Sequence, residues 1–287
     1  MPIPSGFKEK EYEGLLYPAL SASPLVWTPD QVLEEHVGID AALTCVTAYW
    51  QVVHRPPAPG LVLAHFGLFP ILPKAQQKET LPDFSTNLFV QAKRTWEYKR
   101  RPPEAVTDEI GPPCRYFDID EDQRDKLCEL AAHLGAAAEV TYACANLMTK
   151  QDLFKHAKAG DLVQKSTFPT AYSLAGHGRW LFDSPGAKGT GLSEPERIEL
   201  PPLLERLERL ASYERQVDGN PDLERQLSVI WHGLLATWGE AHSYRWVFDL
   251  AGEIQTGGLA GLAAQIRVVL EVLGIGWLVV GRMVTSP

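Results

Sequence analysis

The alternation of apolar and polar positions divides the chain into a mixed part and a helical part. Up to about residue 200, short apolar runs typical of strands alternate with amphipathic stretches typical of helices. After Pro202, leucine and tryptophan residues recur at helical spacing, and the sequence Gly219–Pro221 interrupts them. The pattern predicts a mixed α/β domain in residues 1–200 and a helical module in residues 201–287.

The individual elements follow from side-chain spacing and from stop signals. Helical spacing predicts helices over Lys8–Leu20, Asp120–Leu134, Gln151–Lys158 and Leu259–Leu273. Runs of β-branched and aromatic residues predict strands at Ala41–Val53, Asn87–Ala92, Ala137–Ala143, Leu162–Phe168, Ala171–Ala175 and Arg179–Phe182. The alanine content of the first of these also allows a helix. The glycine-rich segment Ser184–Glu196 predicts a flexible loop.

Two polar residues end the clearest strand. The apolar run from Leu88 to Val90 leads into Gln91 and Lys93. Because successive side chains of a strand point to opposite faces, these two side chains emerge on the same side. A carboxamide and an ammonium group at the end of an apolar strand call for an acidic partner, and Asp40, in the sequence Gly-Ile-Asp, is the candidate.

Charge and cysteine content exclude several classes of protein. The 287-residue chain carries a formal net charge of -9, which argues against non-specific coating of nucleic acid but leaves room for a local basic patch. Its four cysteines form no CxxC pair, so a zinc cluster or a disulfide scaffold is not expected. No apolar segment reaches the roughly 20 residues that span a bilayer. We therefore expect a cytoplasmic protein that does not enter a membrane.

The order of these elements resembles the PD-(D/E)XK nuclease superfamily. The sequences GID at residues 38–40 and VQAKR at residues 90–94 are similar to the QxK variant of Mrr-type restriction endonucleases. The resemblance covers about residues 8–145. It implies a restriction-endonuclease-like mixed sheet flanked by helices, and a Mg²⁺-dependent endodeoxyribonuclease that acts in restriction or antiviral defence.

The resemblance also implies roles for individual residues. Asp40 and Gln91 would bind Mg²⁺ or Mn²⁺, and Lys93 would be the catalytic lysine. A glutamate from the first helix commonly completes such a site, and the candidates are Glu11, Glu13, Glu34 and Glu35. Glu13 lies where that glutamate is expected, and Glu34 and Glu35 lie nearest to Asp40 in sequence.

The segment after the QxK sequence is basic and aromatic. Its cationic side chains beside Trp96 and Tyr98 would suit contacts with DNA phosphates and bases; they are Arg94, Lys99, Arg100 and Arg101. A charged helix face with two packed aromatic residues is the alternative. The helical module would mediate dimerisation or bind a defence-system partner protein.

Each of these assignments has a structural alternative. Asp40 is also a common turn or N-cap residue. Gln91 and Lys93 would also be typical of the solvated face of an edge strand. At the level of the whole protein, the alternatives are a catalytically inactive nuclease-fold interaction or scaffold protein, and a small-molecule-binding domain that uses His177 and the glycine-rich loop.

Overall fold

A computed structural model describes residues 2–21, 26–27, 83–99, 110, 113–186, 188–192, 195–218, 223–254 and 258–282. Its helices are α1 Glu9–Ser21, α2 Glu121–Leu134, α3 Lys150–Ala159, α4 Leu203–Asp218, α5 Leu223–Leu234, α6 Arg245–Gly252 and α7 Gly258–Leu273. Its strands are β1 Pro2–Pro4, β2 Val26–Trp27, β3 Asp83–Lys93, β4 Trp96–Tyr98, β5 Cys114–Asp118, β6 Ala138–Ala145, β7 Ser166–Thr167, β8 Arg179–Phe182, β9 Lys188–Leu192, β10 Glu196–Glu199 and β11 Gly276–Arg282. The fold is mixed α/β, as predicted. The predicted strand at Ala41–Val53 lies outside the described residues.

The described strands form two sheets. One has six strands in the order β1-β4-β5-β8-β9-β10, and every pair in it is antiparallel. The other has five strands in the order β2-β11-β3-β6-β7, in which β3 and β6 run parallel and the remaining pairs are antiparallel. The strand that carries Gln91 and Lys93 is therefore the central strand of a mixed sheet.

Both faces of β3 are covered, which explains its continuous apolar run. Leu88 and Val90 belong to a cluster with Leu16 of α1 and Leu207 of α4, whereas Phe89 belongs to a second cluster on α2 and the C-terminal helices. All three strand residues are fully buried. A strand that pairs in parallel and is buried on both faces typically has a continuous run of apolar residues.

Helix α2 matches its prediction closely because its end signals are local. The Asp120 side chain accepts a hydrogen bond from the Gln123 backbone N–H at 2.8 Å, which caps the N-terminus. At the other end Gly135 adopts φ 54°. Glycine has no Cβ, so this backbone conformation is not strained there. Between them Leu127, Leu130 and Leu134 form the buried stripe.

Four predicted elements differ from the structure. The predicted strand at Leu162–Phe168 is a turn up to Lys165, and only Ser166–Thr167 forms a strand, β7. The predicted strand at Ala171–Ala175 is a 3-10 turn at Tyr172–Leu174, and the C-terminal strand β11 replaces the expected wholly helical end of the chain. The predicted loop Ser184–Glu196 instead contains β9 and the start of β10.

The glycines that suggested flexibility in that loop are in fact sites of close packing. A Cβ on Gly189 would lie 2.4 Å from the Trp180 ring, and one on Gly191 would lie 2.4 Å from the His177 ring. These residues are glycine because two aromatic rings occupy the space of their side chains.

Elements on both sides of residue 200 share one core. Leu203 and Leu207 of α4 pack with Leu88 on β3, and β11 pairs with β3 along seven register positions from Gly276↔Val90 to Arg282↔Asp83. The division into residues 1–200 and 201–287 stays a prediction. No helix in the described part of the chain is long and apolar enough to cross a membrane.

We expect Arg206→Ala to lower the free energy of unfolding by about 3–5 kcal/mol. The Arg206 guanidinium pairs with Glu139 at 2.7 Å and donates to the carbonyls of Pro201 and Phe168, and both charged side chains are about nine-tenths buried. Its loss leaves a buried carboxylate and two carbonyls without this partner. Urea unfolding measures the effect.

The matched control is Arg209→Ala on the same helix. Arg209 is 65% exposed and pairs with Glu205 one turn away, so its removal should change stability by less than about 0.5 kcal/mol. Equal effects of the two substitutions would show that the Arg206–Glu139 pair does not anchor α4 to the sheet.

Candidate active site

Strand β3 brings Gln91 and Lys93 to the same side at its C-terminal end. The pairing of β3 with β11 stops at Val90, whereas its pairing with β6 continues through Lys93↔Cys144. Gln91 is 4% exposed and Lys93 is partly buried. The edge-strand interpretation is therefore wrong, because β3 is central and its two polar residues point into the protein. Their predicted common face is confirmed.

A residue from α2 joins these two side chains. The Lys93 Nζ donates to Gln123 Oε1 at 2.6 Å, and Gln123 Nε2 donates to Gln91 Oε1 at 3.2 Å. The Gln91 Nε2 donates to the Ala92 carbonyl at 3.3 Å. Lys93 Nζ also lies 5.7 Å from the centroid of the Tyr142 ring, within the range of a cation–π contact.

The first turn of α1 supplies a carboxylate to the same region. Packing of Tyr12, Leu16 and Leu20 holds this helix over the sheet face that carries Leu88, which is the opposite face of β3 from Gln91 and Lys93. Glu9 is the first residue of this helix, and its charge acts on Lys93 across the end of the strand.

Both charged groups are shifted toward their neutral forms. Burial raises the pKa of Glu9, and the Lys93 charge and the Arg94 N–H only partly oppose this. Burial lowers the pKa of Lys93, against the opposing effects of Glu9 and Asp120. The free energy needed to remove these two charges from water is therefore larger than the free energy of their mutual attraction. A partly buried acid–base pair of this kind is typical of functional sites.

The first-helix glutamate near Lys93 is Glu9. The carboxylate of Glu13, which lies where the resemblance places that glutamate, accepts from Tyr17 Oη at 2.8 Å and pairs with Lys10 at 2.8 Å. Glu9 and Glu13 lie one helical turn apart, so helical spacing shows that they share a face but cannot decide which of them reaches the strand end. Asp40 and Glu34 lie outside the described residues.

The basic segment after Lys93 forms strand β4, and not a helix face. Trp96 and Tyr98 stack on Tyr116 of β5 at centroid distances of 6.4 and 4.6 Å. The Arg179 guanidinium lies 4.4 Å from the Tyr116 ring centroid and donates to Tyr98 Oη. Together these four side chains are called the aromatic face below.

The predicted DNA-binding cations are only partly described. Arg94 donates to the Ser5 carbonyl at 2.6 Å and lies 5.9 Å from the Trp96 ring centroid, so it ties the N-terminal segment to the aromatic face. Lys99 is exposed. Arg100 and Arg101 lie outside the described residues.

His177 lies apart from this site, two residues before β8, and its ring packs against Gly191 of β9. Its side chain is 7% exposed, its Nε2 is 3.6 Å from Glu196, and its Nδ1 is buried without a hydrogen-bond partner. Its carbonyl accepts from Arg124 at 2.9 Å. The tight packing of the ring against Gly191 makes it part of the sheet core.

The oxygen donors near Lys93 suit a hard divalent cation. The Glu9 carboxylate and the Gln91 carboxamide oxygen are ligand types that Mg²⁺ accepts. Among the described residues, no group of three or more His, Cys, Asp or Glu side chains could hold a metal ion. The predicted ligand Asp40 falls outside that part of the chain.

Comparisons of the chain with known proteins found no relative. No family model matches the chain, and no curated protein or solved structure matches it. The likeness to nucleases therefore depends on the residues of this chain alone.

Proposed function

We propose that this protein is a metal-dependent endonuclease that hydrolyses DNA phosphodiester bonds at the C-terminal end of β3. The proposal depends on the hydrogen-bonded group of Lys93, Gln123 and Gln91 at the end of β3, on whose cation the charge of Glu9 acts. A carboxamide, an ammonium group and a carboxylate contribute little to the stability of a hydrophobic core, and the pKa values of the two ionisable groups are shifted. These are the groups that phosphodiester hydrolysis requires.

Each residue has a distinct role in this proposal. Asp40, Gln91 and Glu9 provide oxygen ligands for Mg²⁺ or Mn²⁺. The cation, when bound, supplies Lewis acidity toward the scissile phosphate. The Lys93 ammonium offsets the negative charge that develops on that phosphate, in a site where burial strengthens the attraction.

The aromatic face supports DNA as the substrate. It begins three positions after Lys93 and combines stacked rings with the Arg179 guanidinium, and a second cation, Arg94, lies beside Trp96. Rings and guanidinium groups stack on bases, and exposed Lys99 is suited to a backbone phosphate. Because the chain is acidic overall, this contact must come from a local patch.

The biological setting follows from the resemblance to Mrr-type enzymes. We place the protein in restriction or antiviral defence in the cytoplasm, and the free thiols of Cys114, Cys128 and Cys144 accord with a reducing compartment. Helix α6 exposes Trp246 and Leu250 at helical spacing, with 55% and 47% of their surface open. Such an apolar face suits a homodimer or a defence-system partner protein.

The direct test is incubation of the purified chain with supercoiled plasmid and linear DNA in Mg²⁺, Mn²⁺ or a chelator. We expect cleavage only with the metal, and a loss of about 100-fold or more in Asp40→Ala, because a metal ligand contributes several kcal/mol. The measurement is the initial rate of plasmid nicking and linearisation.

The rival function is an inactive nuclease-fold interaction or scaffold protein. It predicts DNA or protein binding without cleavage under any metal condition. Cleavage that persists both in the chelator and in Asp40→Ala would show that a different site is responsible.

A further inference from the structure

The aromatic face lies on the side of the six-stranded sheet that points away from the main core. Trp96 of β4 pairs in register with Tyr116 of β5, and Tyr98 lies two positions further along β4, so the three rings share one side. Phe117 and Trp180 point to the other side and belong to the largest core cluster. Tyr116 is 4% exposed, whereas Trp96 and Tyr98 are only partly buried. Two rings of the aromatic face are therefore open in part to solvent.

The two guanidinium groups beside these rings are held by the protein itself. Arg179 donates to Asp118 at 2.7 Å and to Tyr98 Oη at 2.6 Å, and Arg94 donates to the Ser5 carbonyl at 2.6 Å. An arginine that reads a guanine in the major groove directs two N–H donors at the edge of that base. Here both side chains direct donors at protein acceptors. They keep their charge and their flat faces for a ligand, but they are not extended to read base edges.

The bases of an intact duplex cannot stack on protein rings. Each base is covered on both faces by its neighbours, so a duplex offers a protein its phosphates and the edges of its bases. An aromatic side chain stacks on a base only after that base has left the helical stack, or where the strand is single. A surface that offers rings and engaged guanidinium groups therefore suits an unpaired nucleotide better than a groove.

This surface is fixed close to the candidate active site. Three residues of extended chain span at most about 10–11 Å, so Trp96 lies within that distance of Lys93. Between them Thr95 is fully buried; its hydroxyl donates to the Ala145 carbonyl at 2.5 Å, and its own carbonyl accepts from the Ser5 N–H at 2.8 Å. A B-form strand advances 3.4 Å per nucleotide. The aromatic face is therefore within about three nucleotides of a phosphate held at Lys93.

We propose that the aromatic face binds an unpaired nucleotide of the DNA substrate, so that the protein selects single-stranded DNA, or a gap in a duplex, over intact duplex. Trp96 and Tyr98 provide the stacking surfaces, Tyr116 supports them, and exposed Lys99 takes an adjoining phosphate. The inference rests on the proposed nuclease function for the choice of DNA and for the position of the cut. The binding step itself needs neither metal nor cleavage.

The first measurement is binding of the purified full chain to fluorescently labelled DNA in a chelator, followed by anisotropy. The probes are a single strand of mixed sequence and the blunt duplex of the same strand and its complement. We expect the single strand to bind at least about tenfold more tightly, because stacking on two rings adds to the phosphate contacts. A protein that recognised only the backbone would instead favour the duplex, whose charge density is higher.

Substitution of one ring tests whether the aromatic face is responsible. Trp96→Leu should weaken binding of the single strand by about tenfold and change the weaker duplex binding by less than about twofold. Trp96→Phe keeps a ring and should retain most of the affinity. Phe154→Leu is the matched control, since it removes an aromatic ring that is 56% exposed on α3. Thermal unfolding verifies that each variant folds.

The salt dependence of binding separates stacking from phosphate contacts. Trp96→Leu should lower the affinity for the single strand at every salt concentration and leave the slope of log K against log[salt] unchanged, because a neutral ring releases no counterions. Lys99→Met should reduce that slope by about 0.7, the value for one phosphate contact on a single strand. A changed slope in Trp96→Leu would show that the substitution disturbs the cations, and would overturn stacking as the mode of binding.

Cleavage assays locate the cut relative to the unpaired nucleotide. In Mg²⁺ or Mn²⁺, a duplex with a single-stranded gap should be cut at least about tenfold faster than the intact duplex of the same sequence. The cuts should lie within about three nucleotides of the gap, and Trp96→Leu should reduce the preference for the gapped substrate. Equal rates on the two substrates would contradict selection of an unpaired nucleotide.

The outcomes separate this inference from the nuclease function. Duplex binding as tight as single-strand binding, an unchanged affinity in Trp96→Leu, or an equal loss for strand and duplex would overturn the inference whether or not DNA is cut. The rings would then only pack on one another. Selective binding of the single strand that depends on Trp96, in a protein that cuts no DNA with any metal, would overturn the nuclease function and keep the aromatic face as a nucleotide-binding site.

Discussion

Replacement of Lys93 by methionine is expected to lower the rate of DNA cleavage by about 10²–10³-fold while the protein stays folded. The estimate is the usual cost of removing one preorganised group that stabilises charge in the transition state. Methionine fills a similar volume, and burial already lowers the pKa of Lys93, so the fold does not depend on its charge.

The same shift predicts how the wild-type rate depends on pH. The ammonium form of Lys93 is lost at a lower pH than that of an ordinary lysine, whose pKa is 10.5. Cleavage should therefore decline on the alkaline side before pH 10.5, and the decline should be absent from the residual rate of Lys93→Met. Initial rates between pH 6 and 10.5 in Mg²⁺ measure both effects.

Lys155→Met is the matched control, because Lys155 is exposed on α3 away from β3. It should cleave at the wild-type rate. If Lys93→Met retained more than about a tenth of the wild-type rate, Lys93 would be a structural cation and not the catalytic lysine.

The second large effect concerns the acidic residue on α1. Glu9→Gln is expected to lower cleavage by about 100-fold, whereas Glu13→Gln should change it by less than about threefold. The difference follows from their contacts: the charge of Glu9 acts on Lys93, but the carboxylate of Glu13 is held by Tyr17 and Lys10. The midpoint of the Mn²⁺ dependence of cleavage should rise in Glu9→Gln.

Glu9→Gln should also stabilise the metal-free protein at neutral pH, and the sign follows from proton linkage. Burial raises the pKa of Glu9 above its ordinary value of 4.5, so the folded state holds the proton to a higher pH than the unfolded state does. The contribution of Glu9 to stability is therefore fully present below pH 4.5 and is lost as the pH rises through the folded-state pKa. Glutamine cannot ionise and avoids this loss.

Urea unfolding in a chelator at pH 4 and at pH 7.5 measures this difference. Glu9→Gln should exceed wild type in stability at pH 7.5, and the difference should shrink at pH 4. Glu11→Gln is a control of opposite sign, because the contact with Lys150 lowers the pKa of exposed Glu11. A gain in stability combined with a loss of cleavage is the expected behaviour of a residue kept for function.

A Glu13 variant that lost activity while Glu9→Gln kept it would contradict this assignment. Glu9, whose charge acts on Lys93, would then have no role in metal binding. The two variants are well matched, since they remove one charge each from the same helix.

The sequence by itself determined the parts of this protein that depend on neighbouring residues. The apolar run before Gln91 predicted β3, and the period of two predicted that Gln91 and Lys93 share a face. The helical spacing predicted α2 over Asp120–Leu134, and its ends are local because Asp120 and Gly135 cap backbone groups within one turn. The predicted helix at Gln151–Lys158 and strand at Arg179–Phe182 are confirmed for the same reason.

Elements stabilised by distant partners were predicted wrongly or were missed. The segment that forms β9 was predicted to be a flexible loop because it is rich in glycine. The residues next to Gly189 and Gly191 in sequence do not show that the Trp180 and His177 rings fill the space of their side chains. The segment that forms β11 was predicted to belong to the helical module, because its pairing partner β3 is far away in sequence.

The same distinction separates the two halves of the candidate site. Gln91 and Lys93 come from one strand, so their meeting is a local property that the sequence carries. Gln123 reaches Lys93 across 30 residues, and Glu9 reaches it from the first helix, so only tertiary packing selects them. Periodicity shows which residues share a face, but the packing of α1 and α2 against β3 decides which of them meet.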